Sequence, residues 1–363
     1  MAKTDRGSAG ALEWLRYVLN PDTTEMPTIE DWPAIIAFAD KQKLLGVCLP
    51  EFRPANLEKQ TLLRWVGMVQ VIEQQNRLLN KRVEQLVGML EKDGFRCCML
   101  KGQGNAMLYP NPLMRCSGDI DMWIDADEKS VYQYVKRLFP DEKESFKHIH
   151  FPIFEDVSVD VHTTPLKFYN TRYARRLTDW IEQNKAEQFA HRILLPGIEG
   201  EVSVPTGRFN AVYQLGHMLI HTFDEGLGLR QVVDYFYVLR GLGLSADERG
   251  KLVETIQSLG MYRFARGMMW IENAVLGLPS ALCLVEPDKR IGLKLLGDMM
   301  EGGNFGHYSE RYRHGGGFYR IGLSETWRIF TLLPMAPREG LVRICSKLKT
   351  AVRHVGKKLK GKC

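Results

Sequence analysis

No run of 18 or more apolar residues occurs in this 363-residue chain, so no membrane-spanning helix is expected. The first twenty residues lack the apolar centre of a secretory leader, because Glu13 and Arg16 interrupt it. There is no CxxC pair among the seven cysteines, Cys48, Cys97, Cys98, Cys116, Cys283, Cys345 and Cys363. Their odd number and scattered spacing argue against a disulfide framework or a clustered zinc site, and for free thiols in a reduced, cytoplasmic setting. The terminal Leu-Lys-Gly-Lys-Cys is not a prenylation box. The GxxxxGK[ST] spacing is missing, which excludes a P-loop. His217 and His221 stand four apart, but Met218 follows the first of them where the HExxH zinc-protease motif requires glutamate. No internal repeat and no long low-complexity segment is present.

What is there is ordinary in bulk. At 45% hydrophobic and 25% charged residues, the composition is that of a globular chain large enough for two domains or one big one. The net charge of +6 is concentrated at one end. Lys347, Lys349, Arg353, Lys357, Lys358, Lys360 and Lys362 contain no acid between them, and without them the body is nearly neutral. Net charge therefore says little about partners. The same segment carries an apolar stripe (Leu341, Ile344, Cys345, Leu348, Val352, Val355, Leu359), so an amphipathic helix over 338–359 is expected. Its partner is the body, RNA or an anionic membrane surface.

The texture of the chain changes twice. Residues 1–93 read as helical, with one long helix, or two in register, from Leu57 to Leu90 and a cap at Asp93-Gly94. Residues 94–205 mix short apolar strands, turns and one amphipathic helix from Glu128 to Phe139. Strands are expected at Cys97–Leu100, at 117–124, and as a hairpin, Lys147–Phe154 with Val157–His162; a second hairpin is centred on Pro196-Gly197. Residues 206–363 read as helices at 206–223, 228–241, 246–258, 260–276, 288–300, 322–332 and 338–359. Between them, 302–317 holds six glycines with His307, Tyr308, Tyr312 and His314 and reads as a loop, either a lid or simply irregular. The order is α, a compact α+β piece, then α: an α+β fold with a small mixed sheet flanked by helical regions.

Ser117-Gly118-Asp119-Ile120-Asp121-Met122-Trp123-Ile124 is the most informative stretch. A strand alternates its side chains, so Asp119 and Asp121 share one face. Two acids side by side repel unless a cation lies between them, and Mg2+ is held by one or two carboxylates plus substrate phosphates. In Val157-Ser158-Val159-Asp160-Val161-His162 the same alternation puts Asp160 and His162 on one face. If that strand lies beside the first, three carboxylates converge, the arrangement for phosphoryl transfer with two ions ~3.5–4 Å apart. Upstream, Lys101-Gly102-Gln103-Gly104 follows a strand and precedes a short helix, suited to an approaching phosphate. Arg115 and Ser117 stand just before the acids, within reach of phosphate oxygens.

Leu100-Lys101-Gly102, Tyr109, Pro112, Arg115, Gly118-Asp119-Ile120-Asp121 and Asp160-Val161-His162 together resemble the uncharacterised nucleotidyltransferase family of the polymerase-beta-like superfamily. They also resemble the nucleotidyltransferase half of abortive-infection toxins. The resemblance covers about residues 95–240 and takes in His217 to His221 and Gly228 to Asp234. It implies that Asp119, Asp121 and Asp160 are catalytic and ligate Mg2+ or Mn2+, with Lys101, Gly102, Gln103, Arg115, Ser117, Gly118, Arg230 and Asp234 around a nucleoside triphosphate. The implied reaction moves a nucleoside monophosphate from an NTP to an acceptor hydroxyl on a small molecule, protein or RNA. Gln103 departs from the usual small second residue of the turn. That departure supports an alternative, a non-catalytic relative that binds a nucleotide or a protein partner. Bland readings stand beside these. Asp-x-Asp is also a solvated strand edge, Arg230–Asp234 a helix salt bridge, His162 a satisfied polar residue, and His217/His221 a packing pair.

Overall fold

Thirty-four residues without a proline, Lys59–Lys92, form one unbroken helix, and the rest of the first half is arranged on it. The computed structural model describes residues 3–142, 149–306, 308 and 326–359. The chain divides into two compact units. One comprises Met1–Lys167, Asp179–Gln214 and Val233–Gly243, the other Phe168–Thr178, Leu215–Val232 and Leu244–Cys363.

In the first unit, α1 (Lys3–Leu19) and α2 (Trp32–Lys41) precede the long helix α3 (Lys59–Lys92). Asp31 caps α2 by accepting from the Ala34 amide, and Pro33 fits its first turn, where no amide hydrogen is needed. Trp14 and Trp65 are fully buried, and each indole N–H donates to a backbone carbonyl, of Cys48 and Leu45 respectively. α3 ends at Asp93, and Gly94 takes the left-handed conformation (φ 87°) that reverses the chain into β1 (Cys97–Leu100).

Four strands make the sheet that positions the acids: β1, β2 (Ile120–Ile124), β3 (Ile149–His150) and β4 (Val159–His162), in the order β1-β2-β4-β3. β1 runs antiparallel to β2, β2 parallel to β4, and β3 antiparallel to β4. The sheet is thus mixed. One face packs Met99, Ile120, Met122, Val159 and Val161 against Leu79, Val83, Leu86 and Leu90 of α3 and Val131 and Val135 of α5 (Glu128–Leu138). That apolar face fixes the register, because a slip of one residue would turn Asp121 and Asp160 into the apolar core. A separate hairpin, β5 (Arg192–Leu194) with β6 (Glu201–Ser203), surrounds Pro196-Gly197 as the sequence leads one to expect.

Three expectations shift. Asp119 lies just before β2 rather than within it. Gly102–Ala106 is not a turn leading to a helix; it is itself the short helix α4. Its polar residues Gln103 and Asn105 read as loop chemistry, but both are buried and find buried partners. Of the expected strand Lys147–Phe154 only Ile149-His150 pairs, and 147–148 lie outside the described residues.

The second unit is helical. The further helices of the chain are α6 (Thr171–Ala190), α7 (Gly207–Asp224), α8 (Leu229–Gly241), α9 (Ala246–Ser258), α10 (Tyr262–Trp270) and α11 (Lys289–Gly302). Residues 326–332 form α12, and α13 spans Pro337–Leu359. α9 opens on a capping box between Ser245 and Glu248. α10 and α11 approach so closely that a Cβ at Gly292 would stand 2.3 Å from the Trp270 ring. The expected helix 260–276 breaks at Trp270 into a π-turn, Ile271–Val275. Glu339, in the first turn of α13, accepts from the Tyr169 and Asn170 amides at 2.8 and 2.9 Å, which anchors that turn within the unit. Most of the glycine-rich stretch 302–317, and 322–325, lie outside the described residues. No described helix is long and apolar enough to cross a membrane.

Candidate functional site

The parallel pairing of β2 with β4 sets Asp121 opposite Asp160 and Trp123 opposite His162. The alternation read from sequence holds in β4, where Val159 and Val161 are buried while Asp160 and His162 are partly exposed. On the polar side, Asp121 is 6% exposed and both of its oxygens are occupied. His162 Nε2 lies 2.8 Å from Oδ1, and Lys101 Nζ lies 2.8 Å from Oδ2. An ionised carboxylate only accepts, so the imidazole carries its proton on Nε2. Burial by itself would raise the Asp121 carboxyl. Lys101 and His162 outweigh burial and hold it well below the usual carboxylate range. Burial pulls the Lys101 ammonium down, and Asp121, with help from Asp119, more than restores it.

Asp160 is paired with His150 Nδ1 at 3.4 Å, and Asp119 is exposed. Tyr213 is buried within electrostatic reach of Lys101, Asp121 and Asp119, and burial pushes its hydroxyl upward. Lys101 itself has φ 50° and ψ −131°, a region costly for a residue with a Cβ, immediately before α4. A Cβ on Gly102 would stand 3.8 Å from the Asp119 carbonyl, so the turn lies against the start of the acid strand.

Other residues singled out from sequence have buried protein partners. Gln103 is 4% exposed, and its amide donates to Asn80 Oδ1 at 2.7 Å and toward Asn76 Oδ1 at 3.3 Å, on α3. Asn76 in turn donates to the Leu113 and Arg115 carbonyls at 2.6 and 2.8 Å. The Gln103 side chain therefore turns to α3, where it braces α4 against the long helix. Arg115 Nε and a terminal nitrogen each donate to Asp234 at 2.7 Å, and the other terminal nitrogen donates to Ser117 Oγ at 2.9 Å. Tyr109 also donates to Asp234, at 2.5 Å. Arg115 and Asp234 are thus a buried bidentate pair that orients Ser117 and, through it, the partly exposed approach to exposed Gly118 and Asp119. Arg230 belongs to the second unit, with its guanidinium 5.6 Å from the Phe305 ring centroid. In that unit His217 and His221 face each other, Nε2 to Nε2 at 3.0 Å, one donating to the other.

Residues 28–277 match the sequence model of the uncharacterised nucleotidyltransferase family. The chain belongs to this family. Among solved structures it is similar to an antigenic nucleotidyltransferase-like protein from Paracoccidioides brasiliensis, at 13% identity and a TM-score of 0.32, over 56% of this chain and 95% of that one. No curated protein matches. The α+β architecture with a small mixed sheet is the one read from the sequence.

Among the described residues no group of three or more His, Cys, Asp or Glu side chains is gathered closely enough to hold a metal ion. The donors have the right chemistry, three hard carboxylates, with Asp121 and Asp160 on paired strands and Asp119 just before β2. Asp121, however, is turned to Lys101 and His162. The participants least visible in sequence are Tyr213, Asn76 and Asn80. Asn76 and Asn80 do leave a trace: two amides four apart on the buried stripe of α3, where a polar side chain needs a partner.

Proposed function

We propose that this family member transfers a nucleoside monophosphate from a nucleoside triphosphate to an acceptor hydroxyl. The observation that supports it best is the register of Asp121 with Asp160 on parallel strands, two residues beyond Asp119 and beside the Lys101-Gly102 turn. Asp119, Asp121 and Asp160 would hold Mg2+ or Mn2+, which supplies charge neutralisation at the phosphates and activation of the attacking oxygen. The acceptor oxygen bonds to the α-phosphorus, the bond from that phosphorus to the bridging oxygen breaks, and pyrophosphate leaves with the electron pair. Asp160, partly exposed, takes the acceptor proton. Lys101 offers a point charge to the triphosphate, and Gly102 lets the backbone approach it. Ser117 and Gly118 line the approach, oriented by Arg115 through its bond to Ser117.

The full occupation of Asp121 by Lys101 and His162 favours a second reading, a nucleotide-binding protein without turnover. Calorimetry with each of the four NTPs and Mg2+, followed by a pyrophosphate-release assay in cell extract with radiolabelled NTPs, separates the two. Transfer that disappears in Asp119→Ala and Asp121→Ala, with circular dichroism unchanged, supports the enzyme. Binding with no transfer to any acceptor supports the second reading, and no binding of any NTP removes both.

A further inference from the structure

The proposed reaction calls for a divalent cation at Asp121, yet a protein cation already stands there. We propose that Lys101 is the resting counter-ion of the acid strand: it keeps a divalent ion off Asp121 until a triphosphate draws its ammonium away. This rests on the nucleotidyl-transfer reading of the site.

Both oxygens of Asp121 are engaged, Oδ2 by Lys101 Nζ and Oδ1 by His162 Nε2, each at 2.8 Å. Mg2+ needs oxygen contacts of about 2.0–2.1 Å in a near-octahedral shell. A dication and an ammonium sharing one buried carboxylate oxygen would repel strongly, because little solvent screens them. The ammonium is tethered to the strand preceding the site, so it competes as an intramolecular ligand, whatever the concentration of free metal. Asp121 is also the most enclosed of the three acids; Asp160 is partly exposed and Asp119 exposed. The acid best placed to fix an ion is thus the one that is blocked.

Lys101 is also the residue best able to let go. Its backbone sits at φ 50°, ψ −131°, a conformation that persists only where surroundings impose it. A four-carbon stem can swing its charge from a carboxylate to a phosphate within a short radius. On arrival of a metal–triphosphate complex the ammonium would pass from carboxylate to phosphate and the carboxylate would be released to the metal, so each of the two groups keeps a partner of opposite charge. The metal and the triphosphate then bind with positive cooperativity, each raising the affinity of the other by the same factor.

The test uses the full chain and Mn2+ as the probe, counted by the electron paramagnetic resonance of the free ion. Without nucleotide, wild type should bind Mn2+ weakly and Lys101→Met at least 10-fold more tightly. A non-hydrolysable triphosphate should raise the Mn2+ affinity of wild type by at least 10-fold and that of Lys101→Met by less than 3-fold. Lys101→Met combined with Asp121→Asn should lose the gain, which locates it at Asp121. Equal Mn2+ affinity in wild type and Lys101→Met, with the triphosphate bound by both, overturns the proposal and leaves nucleotidyl transfer standing. Tighter Mn2+ binding in Lys101→Met with no triphosphate bound by either protein leaves the counter-ion standing and removes nucleotidyl transfer. If Lys101→Met does not fold, wild type decides by itself: no gain in Mn2+ affinity on adding the triphosphate overturns the proposal.

Discussion

Arg115 and Asp234, 119 positions apart, meet through two parallel hydrogen bonds of 2.7 Å, and both are about 95% buried. Burial opposes the Arg115 charge and Asp234 more than restores it. The same carboxylate, together with burial, pushes the Tyr109 hydroxyl well above its ordinary range. The pair joins the loop before the acid strand to helix α8, and the first prediction concerns it. Arg115→Ala or Asp234→Ala should each cost about 3–5 kcal/mol, because each leaves an uncompensated buried charge. Urea unfolding of the two single variants and the double variant checks this. The double variant should cost much less than the sum.

Gln103 decides how far the turn departs from a phosphate-binding one. Since its amide is spent on Asn80 and Asn76, Gln103→Ala should destabilise by about 1–3 kcal/mol through the orphaned asparagine oxygens. Nucleotide affinity should stay within about 2-fold. A denaturation midpoint that moves while calorimetric affinity does not is the expected pair of results. The reverse pair would return Gln103 to the phosphates.

His162 positions Asp121 from the neighbouring strand. A residue that orients a metal-ligating group typically contributes 10–100-fold to metal affinity or activity. His162→Ala should therefore lower kcat by roughly 10–100-fold with little change in KM for the triphosphate. His162→Asn, which keeps a donor, should recover part of the loss. Steady-state kinetics on the two variants separates positioning from a general loss of fold.

Glu272 offers a pH test within the second unit. It lies on the π-turn of the second unit, fully buried, with neither carboxylate oxygen partnered among the described residues. Desolvation raises its carboxyl well above its ordinary value of 4.5. Between those two values the folded state holds a proton that the unfolded state has released. Its contribution is therefore intact below about pH 4.5 and is lost as pH rises toward the folded value, by up to about 1.4 kcal/mol per pH unit. Glu272→Gln should be more stable than wild type at pH 7–8 and show no such gain at pH 4. Thermal melts across that range read the difference directly.

The elements most legible in the chain are those that local chemistry decides. α9 begins and ends where its capping box and periodicity place it. α3 is one helix because nothing in it breaks one. Asp160 and His162 share a face because a strand alternates. The helix expected at 260–276 is interrupted by a π-turn at Ile271–Val275.

The sequence by itself determined most element types, the shared face of Asp160 and His162 and the family of the chain, since composition, caps and alternation act over a few residues. Only the tertiary structure decided the partners. β2 lies beside β4 by a crossover of some 35 residues, and no local pattern specifies that pairing. Lys101 faces Asp121, Gln103 turns to α3, and Arg115 closes on Asp234 across 119 positions of sequence. Those choices follow from satisfying buried charges and amides with whatever the fold brings near. That is a property of the whole packed molecule, and it determined which of the polar side chains meet one another.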